Sequence, residues 1–172
     1  NFTCFHINSN NLIIIYIYMN IVEAHIKFKK QLIIYITGIS GCGKTALAKN
    51  ISRDFKLKMI DQFDYYKKDY NVTVDLPDGA KVVNWYSDEA VDWDSLNKDI
   101  NDMKKDGLIV AGFSLPADKM NIVPDYHIHL NISKQECIDR RRVYIENNKD
   151  KYEDEFKIIN TPTEKLKMNQ LI

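Results

Sequence analysis

A glycine-rich run near the middle of the first half of this sequence has the residue types and spacing of a site that does chemistry. Gly38-Ile-Ser-Gly-Cys-Gly-Lys44-Thr45 fits the pattern G-x-x-x-x-G-K-[ST]. Glycines at these positions let the backbone curl, so that successive N–H groups point inward at phosphate oxygens. The lysine reaches the terminal phosphates of a nucleotide, and the threonine hydroxyl is a ligand for Mg²⁺. The run therefore predicts a loop that binds a nucleoside triphosphate together with Mg²⁺.

The segments on both sides of this loop are those that such a loop needs. Residues 32–37 form a short apolar, β-branched run, which is typical of a buried parallel strand. Residues 45–55 predict a helix with apolar residues on one face, and its N-terminal end attracts the same anion. The residues predicted to bind the nucleotide here are Gly38, Ser40, Gly41, Cys42, Gly43, Lys44, Thr45 and Ala46.

The rest of the chain alternates between strand and helix patterns. Strands are predicted at residues 56–60, 108–113 and 126–130, and a polar stretch at residues 65–80 predicts a loop or insertion. Ser87 predicts the N-cap of a helix that ends near residue 105. Capping boxes at residues 133–136 and 161–164 predict two more helices, the first ending near residue 147. This alternation predicts an α/β fold with a parallel sheet between helices, the three-layer fold of P-loop NTPases.

Composition favours one globular domain and gives no sign of a nucleic-acid partner. The 172 residues contain 24 basic and 24 acidic side chains, and a nucleic-acid binder usually has a basic excess. The three cysteines lack a CxxC spacing, which favours reduced thiols and a cytoplasmic setting. The apolar run at residues 12–18 is far shorter than the roughly 20 residues of a spanning helix, so we expect no membrane partner.

The N-terminal end differs in character from the remainder of the chain. The chain begins with Asn, and Met19 comes directly after the apolar run. We expect residues 1–18 to be a non-native or disordered leader, and residues 19–172 to form a single domain. An additional edge strand is the competing interpretation of the same run.

Other classes of P-loop protein fit the sequence less well. A GTPase needs the guanine-reading pattern N-K-x-D, and Asn97-Lys98-Asp99-Ile100 has its Asp one place early, on a predicted helix. Membrane and motor ATPases need a longer chain. A small kinase fits the length best.

Four features, in order along the chain, resemble nicotinamide riboside kinases and the related uridine kinases. They are the loop and helix start at residues 38–50, Asp61-Gln62-Phe63, the segment NWYSDEAVDWDSL at residues 84–96, and CIDRRRVY at residues 137–144. The resemblance covers residues 31–144, and its last feature is the start of an arginine-bearing lid, placed here at about 140–155. It implies a kinase that uses ATP and Mg²⁺ to phosphorylate a hydroxyl of a ribonucleoside-like small molecule, such as nicotinamide riboside, uridine or cytidine.

The resemblance also implies roles for individual residues. Asp61 becomes the catalytic base and, with Thr45, a metal ligand, while Lys44 and Arg141 stabilise charge on the phosphates. Asp64 takes the role of the base if the motif is read in an alternative register. The residues implied to bind the acceptor are Asp61, Phe63, Asp64, Trp85, Tyr86 and Arg142.

Two positions depart from the family pattern and keep other functions open. The family has an acidic residue where this chain has Ala111, and an aspartate where it has Tyr86, for which Asp88 is a possible substitute. One alternative is therefore a degenerate protein that binds nucleotide and regulates a partner without catalysis. Another is a kinase for a different acceptor, such as a sugar acid or a nucleoside monophosphate. The sequence leaves the oligomeric state open.

Overall fold

The computed structural model describes residues 21–148 and residue 150, with the exception of residues 78 and 80. The leader expected at residues 1–18 and the helix expected after residue 161 lie outside the described residues. In chain order the helices and strands are α1 (Ile21–Lys29), β1 (Ile33–Gly38), α2 (Lys44–Phe55), β2 (Lys58–Asp61), β3 (Thr73–Asp75), β4 (Lys81–Val83), α3 (Trp93–Met103), β5 (Leu108–Gly112), β6 (Tyr126–Leu130) and α4 (Lys134–Asn147). Within these described ranges, no helix is both long enough and apolar enough to cross a membrane.

Four parallel strands form the main sheet, in the order β2-β5-β1-β6. Parallel strands need crossover connections, and α2 provides one between β1 and β2 and α3 one between β2 and β5. β1 and β5 each have a strand on both sides, which explains their nearly continuous apolar sequences.

Side chains alternate between the two faces of β1 and so help to build two cores. Ile33 and Tyr35 pack with Leu96 and Ile100 of α3 on one face of the sheet. Ile36 lies in the opposite core, where α1 and α2 cover the other face. This arrangement follows from the two-residue period of a strand, and it confirms the predicted α/β fold with helices on both faces of a parallel sheet.

The predicted helix start at Ser87 is wrong. Ser87 caps only a short 3₁₀ helix, Asp88–Ala90, and α3 begins at Trp93 with Asp92 as its N-cap. Between the two helices, Val91 is buried in an extended conformation and forms a β-bridge with Tyr66. That buried contact interrupts the helix that the residue pattern predicts.

The segment predicted as a loop at residues 65–80 contains a short strand. β3 pairs with β4 in an antiparallel hairpin separate from the main sheet. Each strand has three residues, which is too short for alternation to be recognised in the sequence. Helix α1 was not predicted from the sequence, and its Val22 and Ile26 pack on the α2 side of the sheet.

The core between α3 and the sheet provides a test of this packing. Leu96→Ala should lower the free energy of unfolding by about 2–5 kcal/mol, because it leaves a cavity at a fully buried position. The control is Val123→Ala at a side chain that is 84% exposed, where a change within about 0.5 kcal/mol is expected. Denaturant titration of both variants measures the difference, and equal losses would contradict the assigned core.

Candidate functional site

The glycine-rich loop leaves the carboxyl end of β1, in the middle of the sheet. β1 lies between β5 and β6, and the chain passes from β1 through α2 to β2 on one side before it reaches β6 on the other. In open α/β sheets, ligands bind at the carboxyl ends of the strands where connections diverge in this way. The topology therefore places the loop at the position expected for a ligand site.

Close backbone contacts fix the beginning of the loop. The Gly38 N–H donates to the carbonyl of Phe113, 3.3 Å away. A Cβ at Gly38 would lie 2.5 Å from the carbonyl oxygen of Leu130, so only glycine fits. Inside the loop, the buried Cys42 donates its N–H to Ile39 at 3.2 Å, and its sulfur lies against Gly38.

The loop ends at the first turn of α2, whose N–H groups face the site without a side-chain cap. Gly43 is the N-cap and makes no side-chain hydrogen bond. The first N–H groups of a helix have no acceptor within the helix, so an anion there meets both these donors and the positive end of the helix dipole. Lys44 extends back over the loop and donates to the carbonyl of Ile39 at 3.4 Å. Ala46 is exposed in the same turn.

Asp61 connects the end of β2 to this loop. One carboxylate oxygen accepts the backbone N–H of Phe63 at 3.1 Å, and the other accepts the Thr45 hydroxyl at 3.1 Å. The first contact caps the 3₁₀ helix Gln62–Tyr65, and the second holds the carboxylate beside the phosphate-binding loop. Asp64, the alternative candidate, is exposed on the 3₁₀ helix.

Oxygen atoms at this point suit a hard cation. Mg²⁺ is usually held by one or two protein oxygens together with phosphate oxygens, and Thr45 and Asp61 present such oxygens side by side. No cluster of three or more His, Cys, Asp or Glu side chains suitable for a metal is found in the part of the chain that the structure describes.

The start of α4 packs against the loop through Cys137. This side chain is fully buried, and its S–H donates to the carbonyl of Ser40. Burial raises the pKa of the Cys137 thiol, which keeps it protonated and able to donate at neutral pH. The contact fixes which face of α4 points at the site.

Two arginines of α4 therefore point toward the loop. Arg140 donates to the carbonyl of Cys42 at 3.3 Å and pairs with Glu136, and Arg141 reaches the Ser40 hydroxyl at 3.5 Å. Arg141 was predicted to bind the nucleotide, whereas Arg140 was not assigned a role from the sequence. In a helix, the residues three and four positions after Cys137 lie on the same face as Cys137. The cysteine is therefore the signal in the sequence that identifies Arg140 and Arg141.

The third arginine is placed differently. The Nε of Arg142 is buried and makes no hydrogen bond with any described residue. The role predicted for Arg142 in acceptor binding stays a prediction.

Tyr86 lies beside the loop and against Phe113. Its ring stands edge-on to Phe113 with 4.5 Å between centroids. Burial raises the pKa of Tyr86, while Arg141 and a hydrogen bond with Ser40 act in the opposite direction. The phenol is therefore neutral at physiological pH, and its hydrogen bond is to the loop.

Four aromatic side chains form a surface next to Asp61, which we call the aromatic wall: Phe63, Tyr66, Tyr70 and Trp85. Tyr66 lies 5.7 Å from Phe63 and 6.0 Å from Trp85, and Tyr70 lies 5.8 Å from Trp85, all between ring centroids. Phe63 is 76% exposed and Trp85 is 42% exposed, so both rings offer area to a ligand.

Tyr66 connects this wall electrostatically to the carboxylates. Burial raises the pKa of Tyr66 to about 12, with further contributions from Tyr86, Asp61 and Asp88. Asp61 and Asp88 therefore lie close enough to the Tyr66 phenol to act on it electrostatically. Asp88 itself is exposed in the 3₁₀ helix that follows Ser87.

Ala111 occupies the strand position next to Asp61. The two residues are paired across β2 and β5, and Ala111 also pairs with Ile36 of β1. The Ala111 side chain is fully buried in the core under α2. This position contributes no carboxylate to the site, and Asp61 is the carboxylate that contacts Thr45.

Comparison with known proteins gives one family match. Residues 33–111 match the model of the Phosphoribulokinase / Uridine kinase family. No curated protein matches the chain. The matched residues run from the start of β1 into β5 and include the loop, Asp61 and the aromatic wall, whereas α4 lies beyond the match. The match confirms the resemblance to a uridine kinase-like P-loop kinase.

Gly41→Ala tests the geometry of the loop. Gly41 has a φ of 85°, and a Cβ there would lie 3.0 Å from the Cys137 carbonyl oxygen. We expect nucleotide affinity to fall about tenfold or more, because left-handed geometry costs a non-glycine residue roughly 1–2 kcal/mol.

The matched control is Gly79→Ala. Gly79 has a φ of 83°, and a Cβ there would meet nothing within 4 Å. This variant has the same backbone cost without contact with the loop, so its nucleotide affinity should stay within about twofold. Titration with a fluorescent ATP analogue measures both variants, and equal weakening would show that Gly41 has no special role.

Proposed function

We propose that this chain, a uridine kinase-like P-loop kinase, transfers the γ-phosphoryl group of ATP to a hydroxyl of a ribonucleoside-like acceptor. The observation that carries the proposal is the contact between Asp61 and Thr45, which puts a carboxylate beside the phosphate-binding loop. Kinases need both groups at one place, because the acceptor hydroxyl must meet the terminal phosphate with a base within reach.

The reaction proposed is a direct in-line transfer. The acceptor oxygen attacks the γ-phosphorus, the bond to ADP breaks, and the hydroxyl proton passes to Asp61. No covalent enzyme intermediate forms. The Phe63 N–H holds the Asp61 carboxylate at the end of β2, so the base is oriented before the acceptor arrives.

Cationic side chains stabilise the negative charge on the phosphates. Lys44 extends from the first turn of α2, and Arg140 and Arg141 approach the loop from α4. Guanidinium groups suit this task because their planar forks bind phosphate oxygens at two points. Oxygens of Thr45 and Asp61 would hold Mg²⁺, whose positive charge would help to stabilise the negative charge on the phosphates.

The aromatic wall supports an acceptor with a planar base. Stacking of a base on an aromatic side chain contributes roughly 1–3 kcal/mol, and Phe63 and Trp85 are exposed for it. The exposed faces of Phe63 and Trp85 attract a positively charged ring more strongly than a neutral one. We therefore propose a pyridinium nucleoside such as nicotinamide riboside ahead of uridine or cytidine.

A degenerate nucleotide-binding protein is the second candidate. It is favoured by Ala111, which is buried where the family pattern has an acidic residue, and by Tyr86, whose phenol bonds to Ser40. Such a protein would be stabilised by ATP without releasing ADP. Absence of acceptor-dependent ADP release, in protein that binds ATP, would favour this candidate over the kinase.

Asp61→Asn tests the base. With ATP, Mg²⁺ and a panel of nicotinamide riboside, uridine, cytidine, nucleoside monophosphates and sugar acids, the unmodified chain should release ADP with a nucleoside acceptor. The variant should lose about 10²- to 10⁴-fold in kcat, because an amide cannot accept the proton. Asp64→Asn is the matched control, since Asp64 is exposed and three residues further along the chain. A larger loss in the control would transfer the role of the base to Asp64.

Trp85→Ala tests the aromatic wall. The KM for the acceptor should rise about fivefold to a hundredfold, because one stacking partner of the base is lost, while the KM for ATP stays within about twofold. Phe55→Ala is the control, at an aromatic side chain of α2 that is equally exposed, 41% against 42%. Steady-state kinetics with each substrate varied separates the two constants, and a rise confined to ATP would contradict the assignment.

A further inference from the structure

We propose that Gln62 is a positioning residue, which fixes Asp61 relative to the phosphate-binding loop through the backbone of Phe113. This inference rests on the proposed function, since it assigns a task to the neighbour of the proposed base. Gln62 is one of the few buried polar side chains of the described residues, with an exposed fraction of 3%.

The Gln62 side chain continues the sheet after β2 has ended. The backbone pairing of β2 with β5 stops at Asp61 and Ala111, where the chain turns into the 3₁₀ helix. The Gln62 Oε1 then accepts the N–H of Phe113, and its Nε2 donates to the carbonyl of Ser114, both at 2.8 Å. A side-chain amide has the one acceptor and the donors that this pair of bonds requires.

Phe113 connects Gln62 to the rest of the site. Its N–H is held by Gln62, and its carbonyl accepts the N–H of Gly38, the first residue of the loop. Its ring supports Tyr86. A chain of three residues, from Gln62 through Phe113 to Gly38, therefore joins the end of β2 to the loop in addition to the contact between Asp61 and Thr45.

Gly112 shows how closely the amide is held. A Cβ at this position would lie 2.7 Å from the Gln62 Oε1, and the φ of Gly112 lies outside the left-handed region. The glycine is therefore needed for space and not for an unusual backbone conformation. A side chain at residue 112 would push the amide off Phe113.

A buried amide elsewhere in the chain shows what a purely structural role looks like. Asn97 is 6% exposed and also bridges backbone groups: it donates to the carbonyls of Trp93 and Lys119 and accepts the N–H of Asn121. None of these partners belongs to the candidate site. Asn97 is therefore a matched control for the loss of a buried, fully bonded amide.

The first experiment compares Gln62→Met with Asn97→Leu, which remove the two amides while keeping similar volumes. Both variants should melt at lower temperature. Gln62→Met should lose about tenfold to a hundredfold in kcat, because displacement of a catalytic group by about 1 Å has effects of this size. Asn97→Leu should keep kcat within about twofold. Equal kcat values for the two variants would overturn the proposal.

A binding measurement separates this proposal from the proposed function. Calorimetry gives the affinity for ADP with and without Mg²⁺, and needs no acceptor. In Gln62→Met, the increase in ADP affinity on addition of Mg²⁺ should be several-fold smaller than in the unmodified chain, because Asp61 and Thr45 no longer face the same point. The affinity for metal-free ADP should be unchanged. If the unmodified chain turns over no acceptor, the kinase proposal fails, yet this loss would still support the positioning role. An unchanged Mg²⁺ gain overturns the positioning role even if the chain is an active kinase.

Discussion

The hydrogen bond from Thr45 to Asp61 is the contact on which the whole site depends. Thr45 is fixed by α2, which follows β1, and Asp61 is the last residue of β2. β5 lies between those two strands, so the bond spans a full strand of the sheet and forms only if the register of all three is correct. Sheet register is set by two apolar cores, one on each face, and packing far from the site therefore determines a distance of 3.1 Å within it.

α4 is held to the site by a different kind of contact. Its sequence is mostly polar, and its buried residues are Cys137 and Ile145. The thiol of Cys137 meets the loop directly, so the helix is positioned by the same backbone that is proposed to bind phosphate. Changes in the loop would therefore move Arg140 and Arg141 together, because both leave the helix on the face that Cys137 defines.

The sequence was most informative where one pattern fixes both structure and chemistry. The loop, its flanking strand and helix, and the α/β alternation each follow from short-range patterns, and all are present in the structure. Arg140 and Gln62 were missed because the contacts that bring them to the site are with residues 98 and 51 positions away in the chain. The start of α3 was misplaced for the same reason, since the bridge between Val91 and Tyr66 overrides a good local capping signal at Ser87.

Each of the two departures from the family pattern leaves the site with one carboxylate fewer than the pattern implies. Ala111 lies at the strand position paired with Asp61, where the pattern has an acidic residue, and Tyr86 replaces the aspartate that the resemblance implies for acceptor binding. Under the proposed function, Asp61 contacts both the metal and the acceptor, while one of its oxygens accepts from Thr45 and the other from the Phe63 N–H. Because one carboxylate is proposed to contact both the metal and the acceptor, a shift in its position would affect both contacts, so its orientation has to be fixed. The buried amide of Gln62, directly next to it in the chain, is where the fold supplies that additional restraint.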